Sequence, residues 1–254
     1  MKRMFKISLV ILLIGLILMG IGFAGHGMKN IQLNGGVPVI EHSTTKNLST
    51  KSFSELDVQT GSPNVVIKTG KKYSIEYQGS NSRVPKVKIS GDKATIKQRE
   101  NYNGISLTRD GDDDTIIITV PKGQKLTGKI DVTDGDLNIS GVDLTDLDVN
   151  AADGDVVYNH LTIQGGQTTL GDGDFTSHNV IFKGHYSIKN TDGDNKVIGS
   201  HADGFILQTT DGDNKLDGID HGEEDLQKNP SATNLLQLKT TDGDNSVINI
   251  KAVQ

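Results

Sequence analysis

The residues of this 254-residue chain best able to do chemistry are twelve aspartates in the six Asp-Gly-Asp triplets of its second half. They are Asp134 and Asp136, Asp153 and Asp155, Asp172 and Asp174, Asp192 and Asp194, Asp211 and Asp213, and Asp242 and Asp244, with successive triplets 19, 19, 20, 19 and 31 residues apart. Rows of carboxylates can ligate a hard cation such as Ca²⁺, and paired carboxylates can hydrolyse a glycoside. Asp-Gly is also a strong turn signal, because Gly supplies positive φ and Asp caps the backbone. The turn reading is preferred. Calcium-binding repeats use a shorter Gly-rich nonapeptide, and an EF-hand loop closes on a Glu; neither pattern occurs here. No resident cofactor and no favoured metal site are therefore expected, with weak Ca²⁺ or Mg²⁺ association at the twelve aspartates as the alternative.

Other chemistry has less support. His160, His178, His201 and His221 fall 7, 6, 9 and 10 residues after their triplet's first Asp and make no column, whereas a metal site needs convergent ligands. The chain lacks Gly-x-Ser-x-Gly, His-Glu-x-x-His, a Walker loop and a dinucleotide glycine fingerprint. Zero Cys excludes disulfides, thiolate metal sites, cysteine nucleophiles and a lipoprotein anchor. With no Trp to line a sugar groove, a polysaccharide-active enzyme ranks third, behind a non-enzymatic interaction module and a Ca²⁺-binding surface protein.

The elements that position these aspartates follow from the spacing. A period near 20 residues marks a solenoid whose units bury apolar faces only against their neighbours. Four residues before each first Asp stand Ile130, Val149, Thr168, Ile188, Leu207 and Leu238; five after it stand Ile139, Tyr158, Ser177, Val197, Leu216 and Val247. Alternation around these columns has period two, the pattern of half-buried strands. A third apolar pair, such as Val142/Leu144, predicts about three short strands per coil. The expected fold is an all-β, single-stranded β-helix of about 19-residue coils, preceded by one N-terminal transmembrane helix. Chain order would make Ile188 and Leu207, and likewise Asp192 and Asp211, neighbours one coil apart. The column three residues after the first Asp changes from Leu137, Val156 and Phe175 to Asn195, Asn214 and Asn245, either an amide ladder or solvated turn residues. The excess in the last interval lies within Asp217 to Asn234 and reads as a loop thrown out of one coil.

Composition bounds the rest. Hydrophobic residues make up 34% and aromatic residues 4%, with 30 Gly, which suits a thin core. Ile7 to Gly25 carries no charge and follows Lys2, Arg3 and Lys6, so residues 7–25 read as a membrane segment with a cytoplasmic N-terminus and an extracellular C-terminal domain. Secretion after cleavage following Ala24 is the rival. Without the three basic residues the exported part has a net charge of −6 − 3 = −9, which argues against nucleic acid as a partner. The organisation reads as an anchor over 1–25, a polar spacer over 26–50 and a strand-repeat domain over 51–254, irregular over 51–126 and regular over 127–254. In the irregular part strands are expected at Glu55 to Gln59, Asn64 to Lys68, Tyr73 to Gln78, Lys86 to Ser90, Ala94 to Gln98, Gly104 to Thr108 and Thr115 to Val120, forming a cap for the solenoid.

Several stretches together resemble a known group. The basic N-terminus before a Gly-interrupted apolar segment, the opening FSELDVQTGSPNVVIKTG, the central TIIITVPKGQKLTGKIDVTDGDLNI and the tandem Gly-Asp units are similar to the putative-adhesin, β-strand-repeat family of Gram-positive cell-envelope proteins, a domain of unknown function. The resemblance implies a β-helical extracellular domain linked to envelope stress or surface attachment, without established enzymatic activity. Its partner would be a cell-envelope protein or wall component. Members commonly carry Ser-Gly-Asp at the corner, whereas this chain has Asp at the Ser position in every copy.

Overall fold

The computed structural model describes residues 8, 11–20, 31–34, 37–40, 42–98, 106–107 and 114–253. The chain forms two compact units, one of residues 1–43 and 101–112, the other of residues 44–100 and 113–254. The first contains helical residues 11–20 and a three-stranded antiparallel sheet in which Ile31–Asn34 pairs with Val37–Ile40 and Ser106–Leu107. Among the described residues no helix is long and apolar enough to cross a membrane, which corrects the expected transmembrane helix over 7–25. Lys2, Arg3, Lys6 and the cleavage position after Ala24 lie outside the described residues.

The second unit is a stack of coils. Each coil supplies one strand to each of two sheets, except that the fifth adds the short strand Ile181–Lys183 to one of them, and each sheet has eleven described strands. In chain order we number coil 1 (Glu55–Thr60, Asn64–Gly70), coil 2 (Lys125–Asp134, Leu137–Ser140), coil 3 (Asp143–Asp153, Val156–Asn159) and coil 4 (Thr162–Asp172, Phe175–His178). Coil 5 (His185–Lys189, Asn195–Ile198), coil 6 (Gly204–Gln208, Asn214–Leu216) and coil 7 (Leu235–Lys239, Asn245–Ile248) complete the series. Strands of adjacent coils pair in parallel, Ile130 with Val149 and Val149 with Thr168, and the expected apolar columns lie inside with Ile130, Val149, Ile188, Leu207 and Leu238 fully buried.

This arrangement corrects the single-stranded, three-strand coil in two respects. First, two of the expected strands fuse in coils 2, 3 and 4, while in coil 5 they stay apart as Ile181–Lys183 and His185–Lys189. Val149 and Leu144 belong to one strand, Asp143–Asp153, because the backbone bulges at Asp146 with φ 47 instead of turning a corner; Gly165, with φ 75, bulges at the equivalent place one coil on. Second, the sheets are mixed. At one end Thr115–Pro121 runs antiparallel to Ser74–Ser80, and Lys86–Ser90 to Lys93–Lys97. At the other end Ile219–Asp220 and Leu226–Lys228 pair antiparallel with the two strands of coil 6. A parallel stack leaves an unpaired edge at each end, and a short antiparallel return covers it. The excess within Asp217 to Asn234 thus forms a cap. Order also begins upstream of Phe53, since Ser43–Ser49 forms an edge strand beside Ser74–Ser80.

Coil order departs from chain order. Coil 7 lies between coils 5 and 6, pairing in parallel with His185–Lys189 and Asn195–Ile198 on one side and with Gly204–Gln208 and Asn214–Leu216 on the other. Ile188 and Leu207 share a column, but Leu238 separates them. Asp242 likewise separates Asp192 from Asp211. Equal spacing along the chain carries no information about the direction of the next step, and here the chain overshoots by one coil, turns at the cap and fills the gap.

Candidate functional site: the Asp-Gly-Asp edge

At each corner after the first, where Gly135 meets the Pro63 carbonyl, the central glycine meets the glycine of the coil before it. Gly154 and Gly173 hold φ 130 and 127, and a Cβ on either would collide with the glycine carbonyl one coil back, Gly135 O or Gly154 O. The collision recurs through Gly193, Gly243 and Gly212 in their spatial order. Glycine is therefore required for close packing of the edge as well as for its backbone angle.

The second aspartate of each triplet builds a ladder. Asp136 Oδ1 accepts from Asp155 N at 3.0 Å, Asp155 Oδ1 from Asp174 N at 2.9 Å, and Asp174 Oδ1 from Asp194 N at 2.9 Å. Asp194 Oδ1 then accepts from Asp244 N, and Asp244 Oδ1 from Asp213 N, both at 2.8 Å. Asn64 Oδ1 begins the series by accepting from Asp136 N at 2.9 Å. Each carboxylate thus fixes the backbone of the coil stacked on it through a charge-assisted bond. Lys215 Nζ closes the far end, 2.6 Å from Asp244 Oδ2 and 3.3 Å from Asp213 Oδ2. Lys215 and the Asp213 N–H hold the Asp244 carboxyl below its ordinary range, while Asp244 and Asp213 raise the lysine.

The first aspartates form a row in the spatial order Asp134, Asp153, Asp172, Asp192, Asp242, Asp211. Among the described residues no ion pair reaches any of them. Adjacent unit charges about 4.8 Å apart repel by about 0.9 kcal/mol even in bulk-water dielectric. Partial desolvation raises the Asp192 carboxyl, and the neighbouring Asp242 and Asp172 carboxyls raise it further. Among the described residues no three His, Cys, Asp or Glu side chains converge as a metal site requires. His160 and His201 instead meet Asn179 Nδ2 and the Ala252 carbonyl.

Behind the edge, one interior column of the last three coils is polar. Asn195 Nδ2 donates to Asn245 Oδ1 and Asn245 Nδ2 to Asn214 Oδ1, each at 2.9 Å, and Asn214 Nδ2 ends the ladder on Glu224 O at 3.0 Å. All three asparagines are fully buried, so they form a ladder and not solvated turns. Beside them Asn190, Thr240 and Thr209 donate to Gly173 O, Gly193 O and Gly243 O. Deeper in the stack, the buried Thr168 hydroxyl lies 2.8 Å from Tyr158 OH and 2.7 Å from Tyr186 OH. Burial pushes the Tyr158 phenol up to about 12 and raises Tyr186 well above its ordinary range.

Sequence spacing located all twelve aspartates but missed Asp203, which lies outside the triplet pattern. Its Oδ2 accepts from Asn234 Nδ2 at 2.6 Å and its Oδ1 from Val253 N at 2.8 Å, so one carboxylate grips both ends of coil 7. The 31-residue interval was the only available signal.

The family model described as Toastrack DUF4097 matches residues 53–132 and 124–250. A "putative cell adhesion protein" from Clostridium sporogenes shares the fold at TM-score 0.52 and 13% identity, over 84% of this chain and 100% of that chain. A "putative adhesin" from Parabacteroides distasonis aligns at TM-score 0.40 and 14% identity, over 81% of this chain and 97% of that chain. A "putative adhesin" from Bacteroides fragilis aligns at TM-score 0.37 and 14% identity, over 84% and 97%. No protein of curated function matches the chain.

Proposed function

The chain belongs to the Toastrack DUF4097 family, and from that premise we propose that it is a non-enzymatic, adhesin-like interaction module of the cell envelope, presented outside the cell. The supporting observation is the ladder through Asp136, Asp155, Asp174, Asp194 and Asp244: carboxylates that could have served catalysis are engaged in holding coil to coil. A rigid stack of this kind is suited to displaying a surface. The Clostridium sporogenes protein of the same fold, described as a "putative cell adhesion protein", supports the reading by analogy. The partner we propose is an envelope protein or wall component, sensed or held during surface attachment or envelope stress.

The experiment is capture from an envelope extract by the immobilised full chain, with and without calcium. A specific protein or wall polymer held equally in both conditions supports the reading; release of shortened glycan would replace it with an enzymatic one. The first-row carboxylates, which have no ion-pair partner among the described residues, favour one second reading, weak binding of Ca²⁺ or Mg²⁺ along that row. Capture that requires calcium would support it.

A further inference from the structure

Coils 5 and 6 are consecutive in the chain, yet coil 7 occupies the space between them. Gly204–Gln208 pairs with coil 7 and the cap strand Leu226–Lys228; Asn214–Leu216 pairs with coil 7 and the cap strand Ile219–Asp220. Neither strand of coil 6 pairs with coil 5. We propose that this slot is an interaction site, and that the partner it fits is the C-terminal coil of a second copy of this chain. The inference rests on topology and is independent of the proposed function.

Three observations support it. The slot is specific for the segment it holds: Leu236, Leu238 and Val247 are fully buried, Asn245 bridges Asn195 to Asn214, and Asp203 grips Asn234 and Val253. The connection between Leu216 and Leu235 is long and mostly exposed, with Ala232 its one buried hydrophobic residue. With the cap strands left on coil 6, the six residues 229–234 would still reach about 20 Å when extended, more than the two coil steps of about 4.8 Å each that separate the cap from the slot. Finally, coils 6 and 7 carry the same corner, Thr-Thr-Asp-Gly-Asp-Asn, at 209–214 and 240–245. While coil 7 is still free, coil 6 therefore presents a matching edge to the C-terminal coil of either chain. Reciprocal exchange reproduces every contact of the monomer and closes a dimer. Coil 7 is buried on both sides, so exchange belongs to folding, where concentration decides between the two outcomes, and the product persists afterwards.

The test uses the full chain, which contains no Cys. Gln208 and Lys239 are register partners on adjacent strands of coils 6 and 7, within disulfide reach of each other. In the doubly substituted Gln208→Cys, Lys239→Cys chain a disulfide closes within one molecule if coil 7 is its own and joins two molecules if coil 7 is exchanged. The protein is refolded across a range of concentrations, oxidised and resolved on a non-reducing gel, with the 208–239 link verified by peptide mapping. We expect a covalent dimer whose share rises with refolding concentration and does not fall on later dilution of unoxidised protein. Ser187→Cys with Gln237→Cys, register partners across the other wall of the slot, should give the same result and guards against one pair failing to fold. Intrachain links alone at every concentration in both pairs would overturn the proposal. So would equal dimer from the single-cysteine chains.

Discussion

Asp203 and Asn234 are joined side chain to side chain at 2.6 Å, and the same Asp203 carboxylate receives the Val253 N–H at 2.8 Å. The residue at which the chain steps past the slot therefore holds the two ends of the coil that later fills it. Both bonds favour the ionised form and hold the Asp203 carboxyl below its ordinary range. A carboxyl with a depressed folded-state pKa contributes stability above its unfolded pKa and loses it as pH falls through the folded value. Asp203→Asn should lower the melting temperature at neutral pH, and the difference from the parent should close as pH falls through that range. A constant difference at all pH values would show that the charge is not what matters.

The first-row aspartates have the opposite sign. Asp192 is raised in the fold by partial desolvation, then by Asp242 and Asp172. Its contribution is most favourable below the unfolded pKa and is lost as pH rises through the folded one. Asp192→Asn should therefore raise the melting temperature at pH 7 and have little effect near pH 3. Melting scans at the two pH values check this.

Asn245 stands between two other buried amides, so its replacement affects both. Asn245→Leu removes the acceptor for Asn195 and the donor for Asn214. At about 1–3 kcal/mol for each buried group left unsatisfied, the loss should be about 2–6 kcal/mol by urea denaturation. Replacing Asn195, Asn245 and Asn214 together with Leu extends the apolar column of Leu137, Val156 and Phe175, and should cost less than the single change. A triple variant as weak as the sum of three singles would contradict the ladder.

The sequence made the columns legible because a two-residue alternation repeated every 19 residues, from Ile130 to Val149 for example, leaves one way to bury both. The Asp-Gly-Asp corners were legible for the same reason. Coil order was not. Leu207 and Leu238 have equivalent surroundings in sequence, and nothing local distinguishes a forward step from a return. The fused strand was hidden as well, because Asp146 adopts positive φ without the glycine that would have announced a bulge. Thr168 looked like an imperfect member of an apolar column; its hydroxyl has a reason only once Tyr158 and Tyr186 are placed on either side.

That placement gives a direct expectation for Thr168→Val. The side chain keeps its shape, but the oxygen between two buried phenols is lost. Destabilisation of about 1–3 kcal/mol is expected, read as a shift in urea midpoint at unchanged slope. The same substitution at Thr169, partly exposed on the outer face, should be nearly neutral, and equal effects at the two positions would contradict the register.

Whether the Asp-Gly-Asp edge is structural or a cation site is decided most directly by its melting temperature in millimolar Ca²⁺, compared with Mg²⁺ and with monovalent salt at matched ionic strength. A structural edge predicts that Ca²⁺ adds no more than Mg²⁺ or matched salt. A large calcium-specific rise, abolished by replacing the neighbouring Asp192 and Asp242 with Asn, would contradict it and make cation binding the primary role of the row.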